Sequence, residues 1–420
     1  MRYSDFLSFM EGRSKVRKEW DLDAERRLLR SLGNPERRLR TIVVGGTNGK
    51  GSTTAMTASV LAEAGYKTGS YFSPHMDDYR ERIRINGRPI SRERLVRLFE
   101  LLRPHIAPED SFFEITTAIA LKYFADEKVD FAVLEVGMGG RLDATNVTEP
   151  EVVVITNVEL EHIQMLGDTV EKIAREKVGI MRRGAVLVTS DTKPEVLRVF
   201  QKACRKMGGR LVRVGKDVVV RSVATDSSRN EFEIRAGKTY RVRLSLLGKH
   251  QGTNAAMAIA AVEHLGVRIP ESAIVLGLRK ATIAGRLEVM RRKPLVVMDA
   301  AHNPAAMKTL ARALRLFKHE RLILVMGMMA DKDVAGTLKE IMPHVDMAIF
   351  NRPRVPRAAD PRELAEMAKG YSARVEIIED VKESVRKALA LADSHDMVLV
   401  TGSIYMLSEA RGRNRLLVAQ

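Results

Sequence analysis

Along the chain, short runs dense in Val, Ile and Leu alternate with longer stretches in which apolar residues recur every three or four positions. In the first half the runs fall at 41–44, 131–136, 152–156 and 186–189. In the second they fall at 295–299, 322–326, 347–350, 375–378 and 397–401, with helical patterns such as 305–316 between them. A short apolar run without polar alternation is how a strand reads when both faces are covered, as in a parallel sheet flanked by helices. The pattern predicts an α/β protein with one doubly wound, mostly parallel sheet in each half.

The segment 210–247 has a different rhythm. RLVRVGKDVVVRSV, NEFEIRAG and TYRVRLSL alternate with period two, and Gly215 and Gly237 punctuate them, which suggests a small antiparallel sheet attached to the first domain. An alanine-rich helix follows in LGKHQGTNAAMAIAAVEHLG. A boundary is expected near 282–285, just before a strand at 287–290, which gives domains 1–283 and 284–420.

With 420 residues and 45% hydrophobic positions, the chain is long and apolar enough to build more than one core, so disorder is not expected. Cys204 is the single cysteine, which rules out a disulfide framework and a cysteine-based zinc site. No run reaches the roughly 18–20 apolar residues needed to span a bilayer. The N-terminal MRYSDFLSFMEGRSKVRKEW has no apolar stretch before a cleavage site, so a cytoplasmic protein is expected. Lys and Arg outnumber Asp and Glu by 70 to 53, a net charge of +17. That charge suits nucleic acid or anionic small molecules. The basic residues are scattered, no nucleic-acid-binding motif is present, and aromatic residues make up only 5%, so base-stacking surface is scarce. Small-molecule substrates and a monomer are expected, without a nucleic-acid or membrane partner.

The strongest local signal is TIVVGGTNGKGSTT at 41–54, a strand that runs into a glycine-rich loop with a helix expected from about Ser52. Glycines let backbone N–H groups converge on phosphate oxygens, and the helix N-terminus adds partial positive charge. Gly46, Thr47, Asn48, Gly49, Lys50, Gly51, Ser52 and Thr53 are the candidate nucleotide-binding residues. Lys50 would reach the β and γ phosphates, and Ser52 or Thr53 would meet Mg²⁺. The strict P-loop pattern is not met, because Gly51 separates Lys50 from Ser52. Glu135 ends an apolar run, where a carboxylate sits at the edge of a parallel sheet. Asp299 ends another, with His302 just beyond.

Further motifs follow in order: SPHMDDYRERIRING from Ser73, EVGMGGRLDATN from Glu135, EHIQMLGDTVEKIAREKVGI from Glu161 and LGKHQGTNAAMAIAA from Leu247. Then come AGRLEV at 284–289, DAAHNPAAM at 299–307, GMMADKD at 327–333 and GSIYMLSEAR at 402–411. Together with GTNGKGS at 46–52, this series resembles the folylpolyglutamate synthase and dihydrofolate synthase family within the Mur ligase superfamily, over nearly the whole chain.

The resemblance implies a P-loop-type ATP-binding domain, a Rossmann-like C-terminal domain on the amino-acid side, and the cofactors ATP and Mg²⁺. It implies that Ser73, Glu135 and His162 hold Mg²⁺, with Ser52 at the phosphate-loop metal site. Lys177 matches a lysine that is carbamylated in this family. Arg286, Asp299 and His302 would act on the ATP and acyl-phosphate side, Asn254 on the nucleotide base, and Ser403 on the incoming amino acid; Tyr405 shares the last motif. Lys50, Lys177, Arg286, Asp299 and His302 form the candidate catalytic set. Three positions depart from the family pattern: Ala284 for proline, Ala300 for glycine, and Glu161 for aspartate beside His162.

The implied reaction is ATP-dependent joining of L-glutamate to the carboxylate of a pterin acid through an acyl phosphate in a cleft between the domains, with closure about 282–285. The alternative is a Mur-type amide ligase for a modified pterin acid or a cell-wall precursor. A P-loop switch or transport ATPase leaves DAAHNP and the second domain unexplained.

Overall fold

The computed structural model describes residues 1–14 and 21–411. They divide into two compact units. The first comprises residues 1–223, 231–245 and 251–282; the second comprises 224–230, 246–250 and the chain from 283 onward.

The first unit is built on eight strands: β1 (Thr41–Gly45), β2 (Thr68–Tyr71), β3 (Ile83–Ile85), β4 (Arg88–Pro89), β5 (Phe131–Glu135), β6 (Pro150–Ile155), β7 (Val186–Thr189) and β8 (Arg210–Arg213). Their order is β4-β3-β2-β5-β1-β6-β7-β8. Every pairing from β2 to β8 is parallel, and only the β2–β3 and β3–β4 pairings at one end are antiparallel. β1 and β5 are buried along their whole length, as their unbroken apolar runs predict.

β8 corrects the sequence reading. RLVR alternates like an antiparallel strand, yet it pairs in parallel with β7. An edge strand has one half-wet side whatever its direction, so alternation reports exposure and not polarity. β2 escaped the reading altogether. Its sequence TGSY has no apolar run, although all four residues are buried. Gly69 is there because a Cβ would lie 2.7 Å from the Phe124 ring.

The period-two stretches that follow form a three-stranded sheet of β9 (Val219–Thr225), β10 (Asn230–Arg235) and β11 (Thr239–Arg243), in the order β11-β10-β9. β10 and β11 pair antiparallel, as expected. Tyr240 anchors β11 by donating to Glu263 at 2.7 Å, on the alanine-rich helix His250–Glu263.

The second unit carries β12 (Glu288–Arg292), β13 (Leu295–Asp299), β14 (Leu322–Met326), β15 (Met347–Phe350), β16 (Arg374–Ile377) and β17 (Met397–Thr401), in the order β12-β13-β17-β14-β15-β16. Only β12 runs antiparallel. Its core is a separate apolar cluster that includes Val297, Leu310, Leu324, Phe350 and Leu399.

Candidate active site

In the first unit the candidate residues gather where parallel strands end, the edge at which α/β sheets hold ligands. Gly46 leaves β1 with φ +125°, and a side chain there would run into the Thr156 hydroxyl. Gly49 has φ +89° and caps the helix Lys50–Glu63, which begins two residues before the expected Ser52. A Cβ on Gly49 would lie 2.7 Å from Asn254 Oδ1. These two glycines are therefore required by geometry. Asn254, expected at the nucleotide base, stands against the phosphate-loop backbone, and its amide donates to Gln251 at 2.9 Å.

The loop is tied to the chain after β6. Thr47 N–H donates to Asn157 O and Asn48 N–H to Asn157 Oδ1, both at 2.9 Å. Lys50 Nζ donates to Gly46 O at 3.0 Å and Thr47 O at 3.1 Å. Ser52 and Thr53 are buried, and the Thr53 hydroxyl has no hydrogen-bond partner among the described residues.

Glu161 was not among the expected site residues, yet it is a hub. It accepts from Thr47 Oγ1 at 2.9 Å and from Lys177 Nζ at 2.6 Å. Burial alone would raise its carboxyl, but the Lys177 and Lys50 charges outweigh burial and hold it down at about 2. Lys177 is 1% exposed, so it is no surface lysine. Burial pushes its ammonium below the ordinary range, Lys50 adds to that, and Glu161 opposes it. Lys177 was expected at the site from the family resemblance; the one sequence signal for its partner was Glu161 standing where the family carries a shorter aspartate.

Glu135 is buried at the end of β5, and its Oε2 accepts from Ser73 N–H at 3.1 Å. His162 follows Glu161 with φ +47° and precedes the short helix Ile163–Leu166. Among the described residues no three His, Cys, Asp or Glu side chains converge as a protein-only metal site would. Ser52, Ser73 and Glu135 offer the oxygen donors that a magnesium-type ion takes, and such an ion would draw its remaining ligands from phosphate and water; the His162 imidazole is the one nitrogen donor of the expected set.

The second unit gathers Arg286, Asp299, His302 and Ser403. Asp299 ends β13, directly across from Thr401 at the end of β17, so both strand ends open onto one edge. The Asp299 oxygens accept from Leu287 N–H and Ala301 N–H, each at 2.9 Å. Burial raises its carboxyl, against the pull of Arg286 and those amides. Arg286 donates to Gly285 O at 3.1 Å. His302 Nδ1 lies 2.9 Å from Ala300 O, and Ser403 Oγ caps the last helix by accepting from Met406 N–H at 3.1 Å. Tyr405 packs under the Arg357 guanidinium. His250 also belongs here and carried no expected role. Burial, then the Arg286 charge, pushes its imidazole down to about 4. The first-unit residues and the second-unit residues are each assembled within their own unit.

A glycine phosphate loop on a doubly wound sheet, followed in the chain by a second α/β unit with an acidic edge, defines the class: a two-domain protein built to handle a nucleotide. Comparison with known proteins narrows it. Residues 44–262 match the Mur ligase middle domain, and 285–404 match the Mur ligase glutamate ligase domain. The dihydrofolate synthase/folylpolyglutamate synthase of Bacillus subtilis is 36% identical over 430 residues, covering 98% of this chain and 99% of that protein. The structure of Escherichia coli FolC in complex with DHPP and ADP superposes with a TM-score of 0.89 at 31% identity, over 97% of this chain and 96% of the other. The Yersinia pestis bifunctional folylpolyglutamate synthase/dihydrofolate synthase with AMPPNP and a Mn ion gives 0.87 at 29% identity, over 97% of each chain. The chain belongs to the folylpolyglutamate synthase/dihydrofolate synthase family of Mur ligases.

Proposed function

We propose that this chain is an ATP-dependent ligase that joins L-glutamate to the carboxylate of a folate-type pterin, dihydropteroate or a folylglutamate. The observation that carries the reading is the Thr47–Glu161–Lys177 network beside Lys50 at the phosphate loop, in a chain that matches such enzymes from end to end.

The loop amides and Lys50 receive the β and γ phosphates. Lys50 now donates to two loop carbonyls, and a phosphate oxygen is the stronger, charge-assisted partner. A divalent ion held by Ser52, Ser73, Glu135 and His162 would supply positive charge to the phosphate oxygens. An oxygen of the pterin carboxylate attacks the γ-phosphorus, and the bond to ADP breaks. The acyl phosphate then meets the glutamate amine, which attacks the acyl carbon and gives up a proton as phosphate departs. Arg286 offers a planar fork for the transferred phosphoryl group. Asp299 and His302 are assigned with it to the ATP and acyl-phosphate side, and Ser403 to the incoming amino acid. In this reading residues 1–283 serve ATP and 284–420 serve the amino acid.

Carbamylation of Lys177 would replace the ammonium that Glu161 now accepts from with an anion, and intact mass separates the two forms. The chain is taken to act as a cytoplasmic monomer. No described helix is long and apolar enough to cross a membrane.

The test is ADP release with ATP, Mg²⁺ and glutamate, with dihydropteroate, folylmonoglutamate or no acid. Turnover that requires a pterin acid is expected, and the preferred acid identifies the branch. Release that needs no acid, or none with either acid, overturns the folate assignment.

A further inference from the structure

Arg84 is a cation that the reaction above leaves without a task. It stands on β3, paired with Ser70 of β2. Ser70 in turn pairs with Val133 of β5, two residues before Glu135. Side chains alternate between the faces of a strand, and paired residues share one, so Arg84, Ser70 and Glu135 lie on the same face of the sheet. The opposite face, that of Gly69 and Tyr71, is taken by the helix Phe112–Asp126, where the Tyr71 and Thr117 hydroxyls meet at 3.0 Å. Phe72 prolongs the ladder by donating its N–H to Arg82 O at 2.9 Å, and the Arg84 guanidinium lies over its ring at 5.4 Å. The next residue is Ser73, whose N–H holds Glu135.

The neighbouring arginines are spoken for. Arg80 pairs with Asp78 at 3.0 Å, and Arg82 donates to His75 Nδ1 at 2.7 Å with Phe112 beneath it. Arg84 is half-buried, and among the described residues its one hydrogen bond is from Nε to the Glu81 carbonyl at 2.9 Å. No carboxylate among the described residues pairs with it. Glu81 is the one acid whose charge it feels, and the Glu81 carboxylate already accepts the amides of Met76, Asp77 and Asp78. A partly desolvated guanidinium with its terminal nitrogens uncommitted is a receptor for a planar or tetrahedral oxyanion.

We propose that Arg84 binds an oxyanion of a ligase substrate, either the carboxylate of the pterin acid or a phosphoryl oxygen of the nucleotide, on the sheet face it shares with Glu135. The proposal rests on the functional reading above for the identity of those ligands. It makes Arg84 a binding residue that helps to decide which substrate is held.

Two variants separate binding from packing. Arg84→Met keeps an aliphatic stem over Phe72 and removes the charge; Arg84→Lys keeps the charge and removes the fork. Calorimetric binding of the Mg²⁺ complex of a non-hydrolysable ATP analogue and of folylmonoglutamate is measured separately for each, with unfolding midpoints and ADP-release kinetics. The expected result is an unchanged midpoint and about tenfold weaker binding of one ligand to Arg84→Met, with a matching rise in its KM and Arg84→Lys in between. A loss confined to the pterin acid identifies a carboxylate site, and one confined to the nucleotide a phosphoryl site. Binding of both ligands within about twofold of wild type overturns the proposal. So does weaker binding that tracks a fall in the unfolding midpoint. A wild-type protein that neither binds nor turns over a pterin acid sinks the folate reading alone, and the nucleotide measurement then decides on Arg84.

Discussion

Glu161 in the first unit is a partly buried carboxylate with two ammonium groups beside it, one of them, Lys177, at 2.6 Å. Asp299 in the second is also partly buried, yet its hydrogen-bond partners are the backbone amides of Leu287 and Ala301. The first carboxyl is driven down and the second up. In the first unit the protein provides the counter-charge itself, so the phosphate-loop edge is assembled before any ligand arrives. In the second, Arg286 donates to its own neighbour's carbonyl. There backbone amides hold the carboxylate in place, and the Arg286 charge offsets only part of the burial that raises it. Damage to the first group should therefore cost both folding and turnover, and damage to the second mainly turnover.

The largest effect is expected at Lys50. Lys50→Ala removes the charge aimed at the transferring phosphoryl group and should lower the rate of ADP formation by about 10³-fold or more. Near-normal turnover would remove the phosphate loop from the mechanism. Next comes Lys177→Met, which strands a partly buried carboxylate and should cost about 3 kcal/mol of stability by denaturant unfolding. Adding Glu161→Gln should recover much of that loss while activity stays low. A single variant as stable as wild type would mean that Glu161 is neutral in the folded protein, and the contrast with Asp299 would collapse.

How much of this was legible in the sequence follows from what each residue depends on. The parallel strands were readable because burial on both faces demands apolar runs, and the phosphate loop because Gly46 and Gly49 need positive φ beside close neighbours. β2 was not, because its close packing against Phe124 selects Gly and Ser, residues that read as loop. The Glu161–Lys177 pair was also hidden. The two lie sixteen positions apart, and a lysine on a helical pattern reads as solvated surface until the fold buries it. His250 had no signal of its own, since its environment is created by burial in the fold and then by the charge of Arg286, far along the chain.

His250 gives the second unit a pH signature. Its imidazole binds a proton near 6.5 in the unfolded chain and near 4 in the folded one. As pH falls through this window the unfolded state takes up the proton first, so stability is fully present above about 6.5 and is lost towards 4. Unfolding at pH 7.5 and 4.5 should differ by about 2 kcal/mol from this group, after allowance for screening of a half-buried side chain. His250→Gln should flatten that part of the profile. An unchanged slope in the variant would show that His250 titrates normally and that Arg286 does not press on it.

The smallest effect should come from Arg286→Lys, and it is the sharpest test of the comparison. Lysine keeps the positive charge near Asp299 but cannot present two parallel N–H groups to a phosphoryl or acyl-phosphate oxygen. If the second unit waits for its ligand, folding should hardly notice the change, because the hydrogen bond lost is one to the Gly285 carbonyl. The value of kcat/KM should nevertheless fall by about tenfold, or about 1.4 kcal/mol of transition-state stabilisation. A drop in kcat with KM little changed would place the lost contact in the transition state. Equal losses in stability and turnover would instead make Arg286 a structural partner of Asp299, and both units would then be assembled in advance.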